Sequence, residues 1–304
     1  MQTTDQILSQ LTQTLQAADL YYGHGTTDAA QEAYWIIVSI LGINPYTDQP
    51  GQSIQPSDWQ AMQALAEQRI QTRQPLAYLI NEAWFCGLKF FVDERVLIPR
   101  SPIGELISLN FQPWLQSAPQ RILELCTGSG CIAIALAYQF PQAQIVATDI
   151  DADALAVAAY NIQQHGLNNI QLVQADLFNP LPDSPYEPDA LSGQFDLIVT
   201  NPPYVDAQDM QQLPVEYRHE PELALAAGQD GLSLVLPLLG AAGHYLTEQA
   251  GLVLEVGNSA EALQAAVPDL PMVWLDFEQG GQGVCWIDAH SLKNLQQFQE
   301  SEKQ

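Results

Sequence analysis

The sequence predicts an α/β fold, a mostly parallel sheet with crossover helices, preceded by a small helical domain. Three observations carry that expectation. From about residue 118 to 290, short apolar runs alternate with helix-forming segments, as they do when helices connect parallel strands. The first of those runs ends in a glycine turn, Gly128-Ser129-Gly130, which leads into the helix-forming stretch 131–137. The fourth run, Phe195-Asp196-Leu197-Ile198-Val199-Thr200, closes on Asn201-Pro202-Pro203-Tyr204.

Residues 1–75 read as helices. Thr3 with Gln6, Asp28 with Gln31, and Ser57 with Gln60 match a capping box or its Asp variant. Ile7, Leu8, Leu11 and Leu15 repeat at helical spacing, as do Ala33, Ile36, Ile37, Ile40 and Leu41, and both stripes are core faces. Gly42 fits a helix stop, and Pro75 ends the third helix. In 76–117 two strand-like runs flank Gly87 and predict a β-hairpin bridging to the next domain, followed by a linker. Residues 118–290 hold seven strand-like runs, beginning at 122, 144, 170, 195, 252, 272 and 284. The last two are joined by a Gly-rich loop and read as an antiparallel end. The polar, proline-rich stretch 180–192 reads as a surface loop, and the polar tail 291–304 is expected to fray.

The Asn-Pro-Pro-Tyr run is the most specific chemical object. Two prolines fix two φ angles, remove two N–H donors and force the preceding residues into extended geometry. The Asn201 side chain and the Pro202 carbonyl become a stiff polar rim beside an aromatic ring. That rim suits a planar –NH₂ group: each amide hydrogen finds an acceptor, and Tyr204 covers the flat face.

Further candidate residues sit at the ends of successive strands. Glu124 precedes the glycine turn, where Gly128 and Gly130 allow close approach of a ligand to the backbone. Asp149 follows about twenty residues later, the offset at which a Rossmann-like acid accepts a ribose diol. Asp176 ends the next strand and is placed to meet an adenine edge. Ligands of open α/β sheets bind outside the carboxyl ends of the strands, so Glu124, Gly128, Gly130, Asp149, Asp176 and Asn201 are expected to line one crevice.

Charge narrows the partner. With 35 acidic against 9 Lys+Arg residues the formal charge is −26. Phosphate neutralisation dominates nucleic-acid affinity, so this surface argues against DNA; the acidity fits a basic protein partner and equally fits adaptation to salt. Five basic residues cluster at Arg69, Arg73, Lys89, Arg95 and Arg100; most are expected to be helix C-terminal charge or part of a solvated hairpin, with Arg100 the exception. Cysteines 86, 126, 131 and 285 have neither metal-ligand nor disulfide spacing, and no metal is expected. The polar N-terminus and the shortness of the longest uncharged apolar stretch, 231–243, predict no membrane span and a cytoplasmic location.

The ordered set of strand-end residues resembles the class I S-adenosylmethionine-dependent methyltransferases, although their first motif often has a further glycine where this chain has Cys126. Asn-Pro-Pro-Tyr narrows the resemblance to enzymes that methylate a planar nitrogen, on DNA bases or protein glutamines. Leu97-Ile98-Pro99-Arg100-Ser101-Pro102-Ile103-Gly104-Glu105 resembles the linker of the glutamine N(5)-methyltransferases of the HemK/Prm family. In the release-factor branch Ile-Pro-Arg is usually followed by Pro-Glu-Thr-Glu; in the branch acting on the third large-subunit ribosomal protein it is followed by Ser-Pro-Ile-Gly-Glu, as here. Cys-Thr-Gly-Ser-Gly-Cys-Ile-Ala at 126–133 resembles the same branch. The segments 217–221 and 228–232 resemble the family's region after Asn-Pro-Pro-Tyr.

The resemblance implies a Rossmann-like domain with a seven-stranded, mostly parallel sheet over 118–290, a helical substrate-positioning domain over 1–75, and S-adenosyl-L-methionine as cofactor. Glu124, Cys126, Thr127, Gly128, Ser129, Gly130, Asp149, Ile150, Asp176, Leu177 and Asn201 would hold that cofactor. Asn201, Pro202 and Tyr204 would be catalytic, with Pro203 and Arg100 also meeting the substrate. The implied partner is a basic large-subunit ribosomal protein, methylated free or during ribosome assembly. Alternatives are the same chemistry on release factors and, further off, a DNA adenine amino methyltransferase.

Overall fold

A computed structural model describes residues 3–46, 54–182, 184–186, 188–278 and 280–302. Contacts divide the chain into two units. The first takes Met1–Glu94, Ile98–Arg100 and Leu213–Glu220; the second takes Arg95–Leu97, Ser101–Gln212 and Pro221–Gln304.

In the first unit, α1 (Thr4–Gln16) starts at a complete capping box. Thr3 Oγ1 accepts the Gln6 N–H at 3.3 Å, and Gln6 Oε1 accepts the Thr3 N–H at 3.0 Å. Asp28 caps α2 (Ala29–Leu41), which stops at Gly42 in the left-handed region. Gln31 reaches the Thr27 N–H rather than that of Asp28. The box expected at Ser57 and Gln60 is absent, because α3 (Pro56–Thr72) already begins at Pro56 and holds Ser57 inside its first turn. Proline suits that first position, since its φ is preset and the N–H it lacks would have no helical partner. Arg73 ends α3, and Pro75 opens the short α4 (Leu76–Ile80). The stripes close on a core containing Ile7, Leu11, Leu15, Ile36, Ile37 and Met62.

The hairpin β1 (Ala83–Phe85) and β2 (Leu88–Phe90) pairs Ala83 with Phe90 and Phe85 with Leu88. Cys86 and Gly87 both have positive φ, +50° and +73°, the two-residue turn whose twist matches antiparallel strands. The whole hairpin belongs to the first unit, where the expectation was a bridge. The reason is local packing: the Trp84 ring lies 5.9 Å from that of Trp35 on α2.

Arg69 and Arg73 are not solvated charges. Arg69 is 1% exposed; its Nε donates to Glu32 at 2.8 Å and its Nη2 to the Tyr21 carbonyl at 2.9 Å. Glu216, fully buried, pairs with Arg73 at 2.8 Å, lies 3.7 Å from Arg69 Nη1, and accepts the Tyr21 N–H. This is what holds 213–220 in the first unit. Lys89 and Arg95 are exposed, Lys89 paired with Glu82.

The second unit opens with α5 (Ile103–Ser108) and then alternates: β3 (Arg121–Leu125), α6 (Cys131–Gln139), β4 (Gln144–Asp149), α7 (Ala152–His165), β5 (Ile170–Asp176), β6 (Asn179–Pro180), β7 (Phe195–Thr200), α8 (Ala207–Gln212), α9 (Val235–Ala242), β8 (Leu246–Glu255), α10 (Ala260–Ala266), β9 (Val273–Trp274), β10 (Val284–Asp288) and α11 (Ala289–Glu302). The sheet order is β6-β5-β4-β3-β7-β8-β10-β9. From β5 to β8 all neighbours are parallel, while β10 runs antiparallel to β8 and β9. Seven strands were expected; the eighth, β6, is a two-residue antiparallel rung on β5. Ile122, Leu123, Leu125 and Leu197 to Val199 are fully buried, as strands covered on both faces require. The α6 segment from Cys131 to Ala137 is buried on every side, which suits its uninterrupted apolar sequence. The loop expected over 180–192 contributes Leu191 to the core through a short 3₁₀ turn. The tail expected to fray is helical through Glu302, with Leu292 buried.

Arg69→Met should cost about 3–5 kcal/mol, because Glu32 would remain buried without its cation. Denaturant unfolding followed by tryptophan fluorescence measures this; a loss below about 1 kcal/mol would show that water reaches the pair.

Candidate active site

The chain order reverses between β3 and β7: β4 and β5 lie on one side of β3, β7 and β8 on the other. Such a reversal opens a crevice at the carboxyl ends of the two central strands. The register pairs Leu125 of β3 with Thr148 of β4 and with Thr200 of β7, so Cys126, Asp149 and Asn201 leave the sheet at one edge. Thr200 Oγ1 donates to the Leu125 carbonyl at 3.0 Å and ties the two central strand ends together.

After β3 the chain makes a tight turn with Cys126, Gly128 and Gly130 at φ +59°, +53° and +79°. The two glycines serve different ends. A Cβ on Gly130 would come within 3.3 Å of Ala158 Cα and Cβ, so this glycine lets α6 pack on α7. A Cβ on Gly128 would meet nothing within 4 Å; this glycine serves the backbone angle and leaves open space in front of the turn. Cys126 adopts a left-handed angle without being glycine, a strain of about 1–2 kcal/mol. Hydrogen bonds around it hold the turn: Thr127 N–H to the Thr148 carbonyl at 2.9 Å, Gly128 N–H to Asp149 Oδ2 at 2.9 Å, and Asn161 Nδ2 to the Ser129 carbonyl at 2.9 Å.

Asp149 therefore bonds to the turn itself. Its Oδ1 accepts the Asp151 N–H at 3.0 Å, the Ile150 N–H also donates to the carboxylate, and acceptor capacity remains for a further donor. Burial pushes its carboxyl above the usual range, and the backbone N–H donors oppose that. Ile150 beside it is 43% exposed, Asp176 at the end of β5 is exposed, and Leu177 is half-buried with φ +52°. Ser129 Oγ is buried and has no hydrogen-bond partner among the described residues.

Glu124 departs from the expected crevice lining: it is 1% exposed and lies beneath the turn, accepting the Thr127 hydroxyl at 2.6 Å. Burial pushes its carboxyl up to about 8 despite that bond.

Beyond β7, Asn201 is half-buried, Pro202 and Pro203 are buried, and Tyr204 is half-buried. Tyr204 is held at three places. Its hydroxyl donates to Glu255 Oε1 at 3.3 Å, and its carbonyl accepts from Ser259 Oγ at 2.8 Å. Its ring backs on Gly257, where a Cβ would collide with it. Gly231, in the 228–232 segment singled out by sequence, has φ +76°, and a Cβ there would run into the Tyr204 carbonyl. The strand-end rule that picked out Asp149 and Asp176 also fits Glu255, which sequence reasoning missed.

Arg100 belongs to the first unit. Its guanidinium makes a two-pronged pair with Glu220 at 2.5 and 2.7 Å, and lies 5.6 Å from the Tyr217 ring centre. Glu220 also accepts the Ile98 N–H at 3.1 Å, and His24 Nε2 lies 3.5 Å away. Burial alone would raise the Glu220 carboxyl; the Arg100 charge and the His24 contact outweigh it and bring it to about 2. Arg100, expected at the substrate, thus has a structural partner that sequence did not suggest. All four cysteines are free, and no metal-binding group of three His, Cys, Asp or Glu side chains occurs among the described residues.

The methyltransferase small domain family matches residues 109–217, a span that contains both the glycine turn and Asn-Pro-Pro-Tyr. The ribosomal protein uL3 glutamine methyltransferase of Francisella tularensis is 43% identical over 282 residues, covering 91% of this chain and 87% of that protein. The protein of the same name from Bordetella pertussis is 41% identical, covering 96% and 97%. The chain belongs to the uL3 glutamine methyltransferase family. The Ser-Pro-Ile-Gly-Glu linker had pointed to the same branch. Among solved structures, a methyltransferase from Pyrococcus furiosus aligns at 18% identity and a TM-score of 0.46, covering 67% of this chain and 89% of that one.

For this family member Glu124 carries a pH signature. An unfolded glutamate releases its proton near pH 4–5, whereas the folded carboxyl holds its proton up to about pH 8, so folding takes up a proton across that window and stability falls as pH rises through it. Glu124→Gln needs no proton. Its thermal midpoint, measured against wild type, should therefore improve from about pH 5 to about pH 8; a constant difference would mean that Glu124 stays ionised.

Proposed function

We propose that this protein transfers the methyl group of S-adenosyl-L-methionine to the side-chain amide nitrogen of a glutamine in the third large-subunit ribosomal protein, uL3. The observation that carries the reading is the juxtaposition at the switch point: a glycine turn follows one central strand and Asn-Pro-Pro-Tyr follows its parallel neighbour. The family's relatives are named for this activity. The site would then work in the cytoplasm, where ribosomal proteins are made and assembled, and the charge of −26 would draw in a basic acceptor.

The residues present fit the methyl donor. Asp149 has acceptor capacity left for ribose hydroxyls, and Asp176 stands exposed on the next strand for the adenine amino group. The open space before Gly128 and the unpartnered Ser129 hydroxyl receive the methionine end. Cys126, Thr127, Gly130, Ile150 and Leu177 shape the rim, and Glu124 braces the turn from beneath. When bound, the donor supplies a methyl carbon already activated by its sulfonium.

What the protein must do is make a poor nucleophile competent. An amide nitrogen shares its lone pair with the carbonyl. Asn201 Oδ1 accepts one amide hydrogen and the Pro202 carbonyl the other, which fixes the nitrogen's direction and sets two dipoles against the positive charge that grows on it. Asn201 is half-buried at the strand end, within reach of an amide bound at the rim. Tyr204 lies on the amide plane, with Pro203 keeping the rim stiff. Transfer of the methyl from sulfur to this nitrogen would leave a surplus amide proton, which would be lost to water.

Labelled methyl transfer into unmodified uL3, release factors and unmethylated DNA, with peptide mass mapping, tests the acceptor. Label on a glutamine of uL3 alone is expected; label only in release factors or DNA would overturn the assignment. Asn201→Ala should lower kcat about 100-fold or more while leaving donor affinity within about threefold. A collapse of donor affinity instead would make Asn201 a scaffold residue.

A further inference from the structure

Glu255 ends β8, the parallel neighbour of the strand that ends in Asn201; the register pairs Thr200 with Leu254, so the next residues on the two strands are Asn201 and Glu255. Its carboxylate is 4% exposed. Tyr204 donates its hydroxyl to one oxygen at 3.3 Å and Ser101 donates its hydroxyl to the other at 2.5 Å. The Ser101 oxygen in turn accepts the Ile103 N–H at 3.1 Å. Ser101 thus accepts a backbone N–H on its oxygen and donates its own hydrogen to Glu255. A buried carboxylate that accepts two hydroxyls, one per oxygen, fixes the position of both.

We propose that Glu255 is a positioning residue that couples the linker's Ser101 to Tyr204 and so sets the aromatic wall against which the acceptor amide is held. This rests on the glutamine-transfer reading above and extends it to residues to which that reading gives no role. Ring, carbonyl and hydroxyl of Tyr204 are pinned by Gly257, Ser259 and Glu255 respectively, and the hydroxyl contact leads on to the linker through Ser101. The Ser-Pro-Ile-Gly run thereby gains a physical role, since it begins with the hydroxyl that donates to this carboxylate. A linker without that hydroxyl removes one of the donors that hold the Glu255 carboxylate and leaves the tyrosine less firmly placed.

The coupling is testable by a double-mutant cycle on the full-length enzyme. Glu255→Gln keeps the volume but leaves one oxygen where the two hydroxyls need two, so it should lower kcat about tenfold with the KM for uL3 and for the methyl donor within about twofold. In a Tyr204→Phe background the same change should cost no more than about twofold, because the contact it breaks is already gone. Equal losses in both backgrounds would overturn the proposal. A second measurement works even if uL3 is not the acceptor. With tyrosines labelled at Cζ, the Tyr204 resonance, identified by its loss in Tyr204→Phe, should move in Ser101→Ala, which reaches the tyrosine hydroxyl through Glu255. An unmoved resonance would sink the coupling. An absent methyl transfer by wild type, with the resonance moved, would sink the proposed acceptor and leave the coupling standing.

Discussion

Parallel pairing of the central strands is the constraint on which this protein depends. Parallel neighbours must all end on one edge, so a sequence that writes a polar residue at each strand's end assembles a site without specifying any long-range contact individually. The reversal between β3 and β7 then separates the connections that leave the two central strands and opens room between them. Glycine at 128 and the prolines at 202 and 203 complete the site locally, one by permitting an unusual backbone angle and the others by forbidding most alternatives.

The second organising force is buried charge. In the first unit Glu32, Arg69 and Glu216 are almost completely removed from water, and Glu220 with them. Removing charges from water is expensive and their mutual attraction roughly offsets the cost, so such clusters contribute little net stability but penalise any arrangement that parts them. Their effect is to select one docking of the segment Leu213–Glu220, since the Tyr21 and Ile98 N–H groups and three guanidinium groups all converge on two carboxylates of that segment.

Much of this was legible in the sequence. Apolar runs identified the strands, helical spacing and capping signals the first helices, and the strand-end residues of the sheet followed from order alone. What escaped has a common physical origin. Arg69 and Arg73 look like ordinary helix-end cations until Glu216, far along the chain, comes to meet them. Glu124 resembles a crevice residue by position, yet the turn folds over it and Thr127 caps it. Ser57 carried a plausible capping signal, but Pro56 had already supplied a helix start. In each case a partner distant in sequence or a competing local rule decided the outcome. Glu255 is different: its position at a strand end was readable, but its importance lies in hydroxyls that no periodicity reveals.

Segment sharing between the units bears on how the chain emerges from its own ribosome. The helices of the first unit are synthesised early, yet Glu216 and Glu220, the carboxylates that Arg73 and Arg100 pair with, are made only after most of the large sheet. Until then those guanidinium groups must remain hydrated, and the N-terminal helices wait as an unfinished half. A nascent chain stalled before residue 213 would hold that half open, and a fragment cut there would lack the acids that close it.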